Sequence, residues 1–178
     1  MKFAFSILLL LVLLAGWLYI NLDGPYITEE ERQVNRILGR TGKIIEEKHD
    51  LTSVGGGVSM PGGDVRQMCL SFNTKDRLSK AELRKLLLVC ADELLNQVNI
   101  DAVLRPALTT YPFTEKNVEI IIYNHDRHGH RSFFPDISNC ELSSGKLEYA
   151  SIDPEDIYRV ASDVEETYQE AVEAAKQQ

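Results

Sequence analysis

The chain has 178 residues, with 19 Lys and Arg against 27 Asp and Glu, a formal net charge of −8. That acidic balance argues against nucleic acid and anionic lipid headgroups as partners, since both recruit basic surfaces. Three cysteines, Cys69, Cys90 and Cys140, are too few and too scattered for a disulfide scaffold or a paired-cysteine metal site; three buried thiols is the simpler reading, one bridge with a free thiol the alternative.

The chain opens on an almost unbroken apolar run, Phe3 to Leu22, interrupted by Ser6, Gly16 and Asn21. As a helix it reaches roughly 30 Å, the thickness of a bilayer's hydrocarbon core and longer than the apolar part of a removable signal peptide. Ala15-Gly16-Trp17-Leu18-Tyr19 puts bulky rings where a signal peptidase needs small side chains, and Trp17 stands where a lipidated cysteine would have to be. Residues 1–22 therefore read as a transmembrane signal-anchor contacting the lipid bilayer through residues 3–22, with Trp17 and Tyr19 fitting an interfacial belt. Arg32, Arg36 and Arg40 pull the following domain toward the cytoplasm. The acidic stretch before them and the short N-terminal tail favour an extracytoplasmic domain instead.

Residues 23–27 read as a linker and 28–178 as a single soluble domain. Thr28-Glu29-Glu30-Glu31 has the spacing of a capping box, so a helix is expected there, with Val34, Ile37, Leu38, Ile44 and Ile45 on one face. Gly39 and Gly42 weaken it and suggest a break near Thr41. Leu51 to Met60 and Val65 to Asn73 read as hairpin strands joined by a type II turn at Met60-Pro61-Gly62-Gly63. In the second, Met68, Leu70 and Phe72 alternate with Gln67, Cys69, Ser71 and Asn73, the signature of a half-buried strand.

Ser79 and Glu82 make a second capping box, with Leu78 and Leu83 as a hydrophobic staple. The helix they open is expected to run to about Asn99, and its apolar middle, residues 86–91, predicts burial on several sides. A third strand is expected over Val118 to Asn124, with a return through Arg131 to Phe134. A hairpin, Ile137 to Leu142 and Lys146 to Ile152, should then turn at Ser143-Ser144-Gly145. Asp153-Pro154-Glu155-Asp156 reads as a helix start, and Ile157, Val160, Ala161, Val164, Tyr168, Ala171, Val172 and Ala175 then predict one long closing helix. The order gives an α+β domain, an antiparallel sheet with about three helices packed on one face.

The densest chemical cluster is His125-Asp126-Arg127-His128-Gly129-His130. His125, His128 and His130 are the candidate metal ligands, with Asp126 or Asp136 as a local fourth group, although the spacing matches no zinc finger or HExxH helix. The competing reading is a solvated polar turn in which Gly129 permits an unusual backbone angle. Gly55-Gly56-Gly57 lacks the lysine and following helix of a phosphate cradle and reads as a bulged strand. Cys69, mid-strand, and Cys90, within the apolar helix, are poor nucleophiles. Asp156, Asp163, Glu166, Glu170 and Glu173 read as a solvated helix face, with docking of a basic partner or weak calcium binding as the alternative.

No catalytic residue and no cofactor are assigned from the sequence. The expected function is a single-pass membrane-anchored, non-enzymatic interaction or assembly module of the cell envelope with a protein partner. The alternative is an enzyme dependent on a metal at His125, His128 and His130 or on a thiol.

Overall fold

The computed structural model describes residues 27–177; the proposed transmembrane segment lies outside them. Among the described residues no helix is long and apolar enough to cross a membrane. The chain divides into two units, Met1–Arg32 and Gln33–Gln178. In the first, the Thr28 N–H donates to Glu31 Oε2 at 2.8 Å and the Glu31 N–H to Thr28 Oγ1 at 3.2 Å, closing the expected capping box. It opens helix α1, Glu29–His49.

The remaining elements are β1 (Leu51–Ser59), β2 (Gln67–Thr74), α2 (Lys80–Asn99), β3 (Val118–Tyr123), β4 (Asn139–Ser143), β5 (Lys146–Ile152), β6 (Val160–Thr167) and α3 (Tyr168–Lys176). The six strands form one sheet in the order β1-β2-β3-β4-β5-β6, giving an α+β fold. Every neighbouring pair is antiparallel except β2 and β3, so the sheet is mixed rather than antiparallel throughout. Parallel neighbours need a long crossover, and α2 supplies it.

Alternation along the strands sends Met68, Leu70 and Phe72, Val118, Ile120 and Ile122, and Cys140 and Leu142 to one face. They share one core with Val34, Ile37 and Ile45 of α1, Leu83, Leu87 and Leu94 of α2, and Ala171 of α3. Helix α2 lies over β3 and β4, and α3 meets α2, β5 and β6. The opposite face keeps its polar alternates, among them Gln67, Ser71, Glu119, Asn139 and Glu141, partly exposed.

Both turns form as their residues dictate. Gly62 at φ 73°, ψ 9° and the Gly63 N–H to Met60 C=O bond of 3.2 Å complete the type II turn. Ser144 and Gly145, at φ 52° and 79°, turn β4 into β5 as a two-residue hairpin with both central residues left-handed. In α2, Ser79 and Glu82 make the full capping box.

Helix α2 is buried on several sides as expected, against β3, β4 and α3, and only its Val89 side is open, at 37% exposed. Three further expectations fail. Helix α1 does not break at Thr41: Thr41 and Gly42 are buried, and a side chain on Gly42 would meet Ser53 Oγ at 3.3 Å, so the glycine serves close packing on β1. Residues 131–134 form no strand, and a single bridge pairs His125 with Arg131. The largest correction is the closing helix. Asp153 accepts from the Glu155 N–H at 2.8 Å in a loop, and residues 160–167 form strand β6, paired with β5 from Lys146↔Thr167 to Ile152↔Val160. Val160, Val164 and Thr167 are β-branched and suit a strand. The helical stripe is real only from Tyr168, where Thr167 and Glu170 form their own capping box.

Candidate functional site

The histidine cluster sits beyond the C-terminal end of β3. Asp126 organises it: its Oδ1 accepts from the His128 N–H at 2.8 Å and the His130 N–H at 2.9 Å, and its Oδ2 lies 3.3 Å from His130 Nδ1. Hydrogen bonding by the His130 amide, then that of His128, brings the Asp126 carboxyl down to about 2. Its charge is thus spent inside the turn. Gly129, at φ 80°, lets the chain close.

His125 is held by β2 rather than by Asp126. Its N–H donates to Thr74 Oγ1 at 2.7 Å and its Nδ1 lies 3.2 Å from the Tyr123 carbonyl. The ring helps line a polar cleft of about 330 Å³ with Thr52, Asn73, Lys75 and Arg127. The His128 and His130 rings are 6.1 Å apart between centroids, and both residues are exposed. Among the described residues, no three His, Cys, Asp or Glu side chains are grouped as a metal ion requires.

The cysteines are free thiols, Cys90 and Cys140 buried and Cys69 half-buried. Burial, then the carboxylate of Glu119, pushes the Cys69 thiol up to about 12, and burial pushes Cys90 to about 12. Neither holds a ready thiolate.

A feature the sequence reading missed lies on the face of the sheet opposite the helices. Strand register aligns Ser71, Ile121, Glu141, Glu148 and Glu165 in one row across β2 to β6. Three carboxylates therefore occupy adjacent rungs, about 5 Å apart at Cβ. Glu119 stands two residues from Ile121 on β3, and Asp163 two from Glu165 on β6, both on this face. Burial and then the charges of Glu119 and Glu148 raise the Glu141 carboxyl; burial and then Asp163 and Glu165 raise that of Glu148. Among the described residues, Lys146 is the one cation within ion-pair distance of these five groups, 3.3 Å from Glu165.

Like charges directly opposite on neighbouring strands destabilise a sheet, so this row is held against its own repulsion. Its sequence signal was the alternation Val118-Glu119-Ile120, Cys140-Glu141-Leu142 and Leu147-Glu148-Tyr149. Placing residues 157–167 on a helix hid the sixth strand's share, Asp163 and Glu165. Of the residues read as one acidic helix face, Asp163 belongs to this open face, whereas Glu166 points to the helical side and pairs with Arg84.

No protein-family model, curated protein or solved structure matches this chain.

Proposed function

We propose that this chain is a non-enzymatic interaction module of the cell envelope, tethered by a transmembrane helix at residues 3–22 with its domain on the extracytoplasmic side. Its docking surface is the uncovered face of the sheet, and its partner is a protein with a cationic surface. The observation that carries this reading is the in-register row Glu141, Glu148 and Glu165 with Glu119 and Asp163 beside it. Among the described residues Lys146 alone offsets them. A cationic partner would convert that repulsion into attraction, steering encounter and fixing orientation. The anchor supports the same reading by holding the face near other membrane-bound chains.

Cross-linking in native membranes tests it, comparing the wild type with a Glu141→Gln, Glu148→Gln, Glu165→Gln variant. A control removes three helix charges instead, by Glu47→Gln, Glu170→Gln and Glu173→Gln. The reading predicts a cross-linked complex that weakens with added salt, is lost in the sheet variant and persists in the control. Equal cross-linking by both variants would refute it.

A further inference from the structure

We propose that the cationic partner docks by strand addition, an extended lysine- or arginine-bearing segment pairing with the outer edge of β1 along Gly55–Ser59. This rests on the reading that the open face takes a cationic protein.

The two edges of the sheet differ in how they are guarded. Among the described residues β1 pairs with β2 alone and β6 with β5 alone, so each presents a row of unpaired backbone groups. Natural edges are protected by charge, proline or bulges. Strand β6 carries Asp163, Glu165 and Glu166. Strand β1, Leu-Thr-Ser-Val-Gly-Gly-Gly-Val-Ser, carries no charge and no proline. Its one guard is the irregularity between Ser53 and Gly55. Beyond it the register runs without interruption from Gly55↔Ser71 to Ser59↔Gln67. Val54 and Val58 are exposed on the strand.

The glycines also open the way to the acidic face. Gly57 pairs with Cys69 and Cys69 with Glu119, so the three share the open face in one row. A side chain on Gly57 would meet nothing within 4 Å. A trough of about 220 Å³ runs there between Gly57, Val58, Ser59, Gln67, Cys69 and Glu119. An added strand would lie three strand spacings from β3, roughly 14 Å. An extended Lys or Arg from that strand and the Glu119 side chain together bridge the gap because Gly57 and the small Cys69 leave it clear.

Charge selects the occupant. A second copy of this chain paired through β1 would bring two acidic faces side by side, each on a chain of net charge −8. A cationic segment gains main-chain hydrogen bonds and ion pairs at once, the two components of recognition by strand addition.

The test uses the full-length chain in zwitterionic nanodiscs and a seven-residue peptide of alternating Lys and Val, read by affinity and by amide exchange in β1. The expected result is slowed exchange within Gly55–Ser59. Affinity should fall about tenfold when alternate peptide amides are N-methylated, the loss of one or two hydrogen bonds. Gly57→Lys, which sets a cation in the trough, should weaken binding similarly, and Gly57→Ala should leave it unchanged. Binding that ignores N-methylation and Gly57→Lys yet falls in the Glu141→Gln, Glu148→Gln, Glu165→Gln variant overturns strand addition while the acidic-face reading stands. Equal binding of a Glu-for-Lys peptide, pairing of the chain with itself through β1, or no binding of the Lys peptide overturns the proposal together with its charge argument.

Discussion

Arg84 of α2 and Glu166 of β6 join helix layer to edge strand through two parallel hydrogen bonds, Nε to Oε1 at 2.8 Å and Nη2 to Oε2 at 3.0 Å. Their side chains are 11% and 13% exposed. The Tyr149 hydroxyl donates to the same Oε1 at 2.5 Å, and Lys80 lies 4.5 Å above the Tyr149 ring. This cluster fixes which face of β6 turns inward, and with it the placement of Asp163 and Glu165 outside.

Removing one partner of such a pair strands the other in a poorly hydrated site. Arg84→Met should therefore cost about 3 kcal/mol, the low end for breaking a buried pair because some solvent reaches this one. Denaturant unfolding followed by near-ultraviolet circular dichroism checks it. A change below about 1 kcal/mol, the level of an exposed pair, would contradict the role. Burial alone would raise the Glu166 carboxyl, but hydrogen bonds from Arg84 and Tyr149 outweigh it and leave it lowered. Its contribution is thus complete above the ordinary glutamate range and lost as pH falls through its depressed value. Arg84→Met should remove that acid-limb loss.

The open face has the opposite sign. Glu141 and Glu148 are raised, so the stability linked to their protonation is fully present below the ordinary glutamate range and lost as pH rises through their raised values. Glu148→Gln should melt higher than the wild type at pH 7, with the difference shrinking toward pH 4. Thermal melts at both pH values test this. A variant that melts lower at pH 7 would show that the carboxylate is satisfied where it stands.

The core prediction concerns Leu87, fully buried in α2. Leu87→Ala should cost about 2 to 5 kcal/mol through lost transfer energy and the cavity left behind. Val89→Ala, on the exposed side of the same helix, should cost well under half of that. Equal losses would mean that α2 is enclosed on both sides.

How far the sequence could be read depends on whether local and tertiary signals agreed. Ser79 with Glu82, Pro61 with Gly62, and Ser144 with Gly145 carry their geometry within four residues, and each was legible. So was the alternation of β2. Val160, Val164 and Tyr168 fit a helical stripe as well as a strand that runs into a helix, and the choice was made by β5, Arg84 and Tyr149, from distant parts of the chain. The acidic row was illegible for the same reason: Glu141, Glu148 and Glu165 become neighbours through register, which no local pattern encodes. The histidines were conspicuous because they are adjacent in sequence, yet Asp126 holds His128 and His130 in an exposed turn while His125 lines the cleft.

The anchor has its own test. The full-length chain should remain in the membrane fraction through carbonate washing, since 20 apolar-rich residues suffice to span a bilayer. A mature N-terminus between Gly16 and Pro25, found by mass spectrometry, would show cleavage and remove the tether from the account.

The central claim is that the uncovered sheet face meets a cationic protein, and site-specific photocross-linking in native membranes tests it most directly. A photoreactive side chain replaces Ile121, in the row with Glu141, or in a second chain Lys85, exposed on α2. The account predicts an adduct from position 121 that maps to a basic segment of another protein and disappears in the Glu141→Gln, Glu148→Gln, Glu165→Gln background, with none from position 85. An adduct from position 85 alone, or one from position 121 that survives the loss of all three carboxylates, would contradict it.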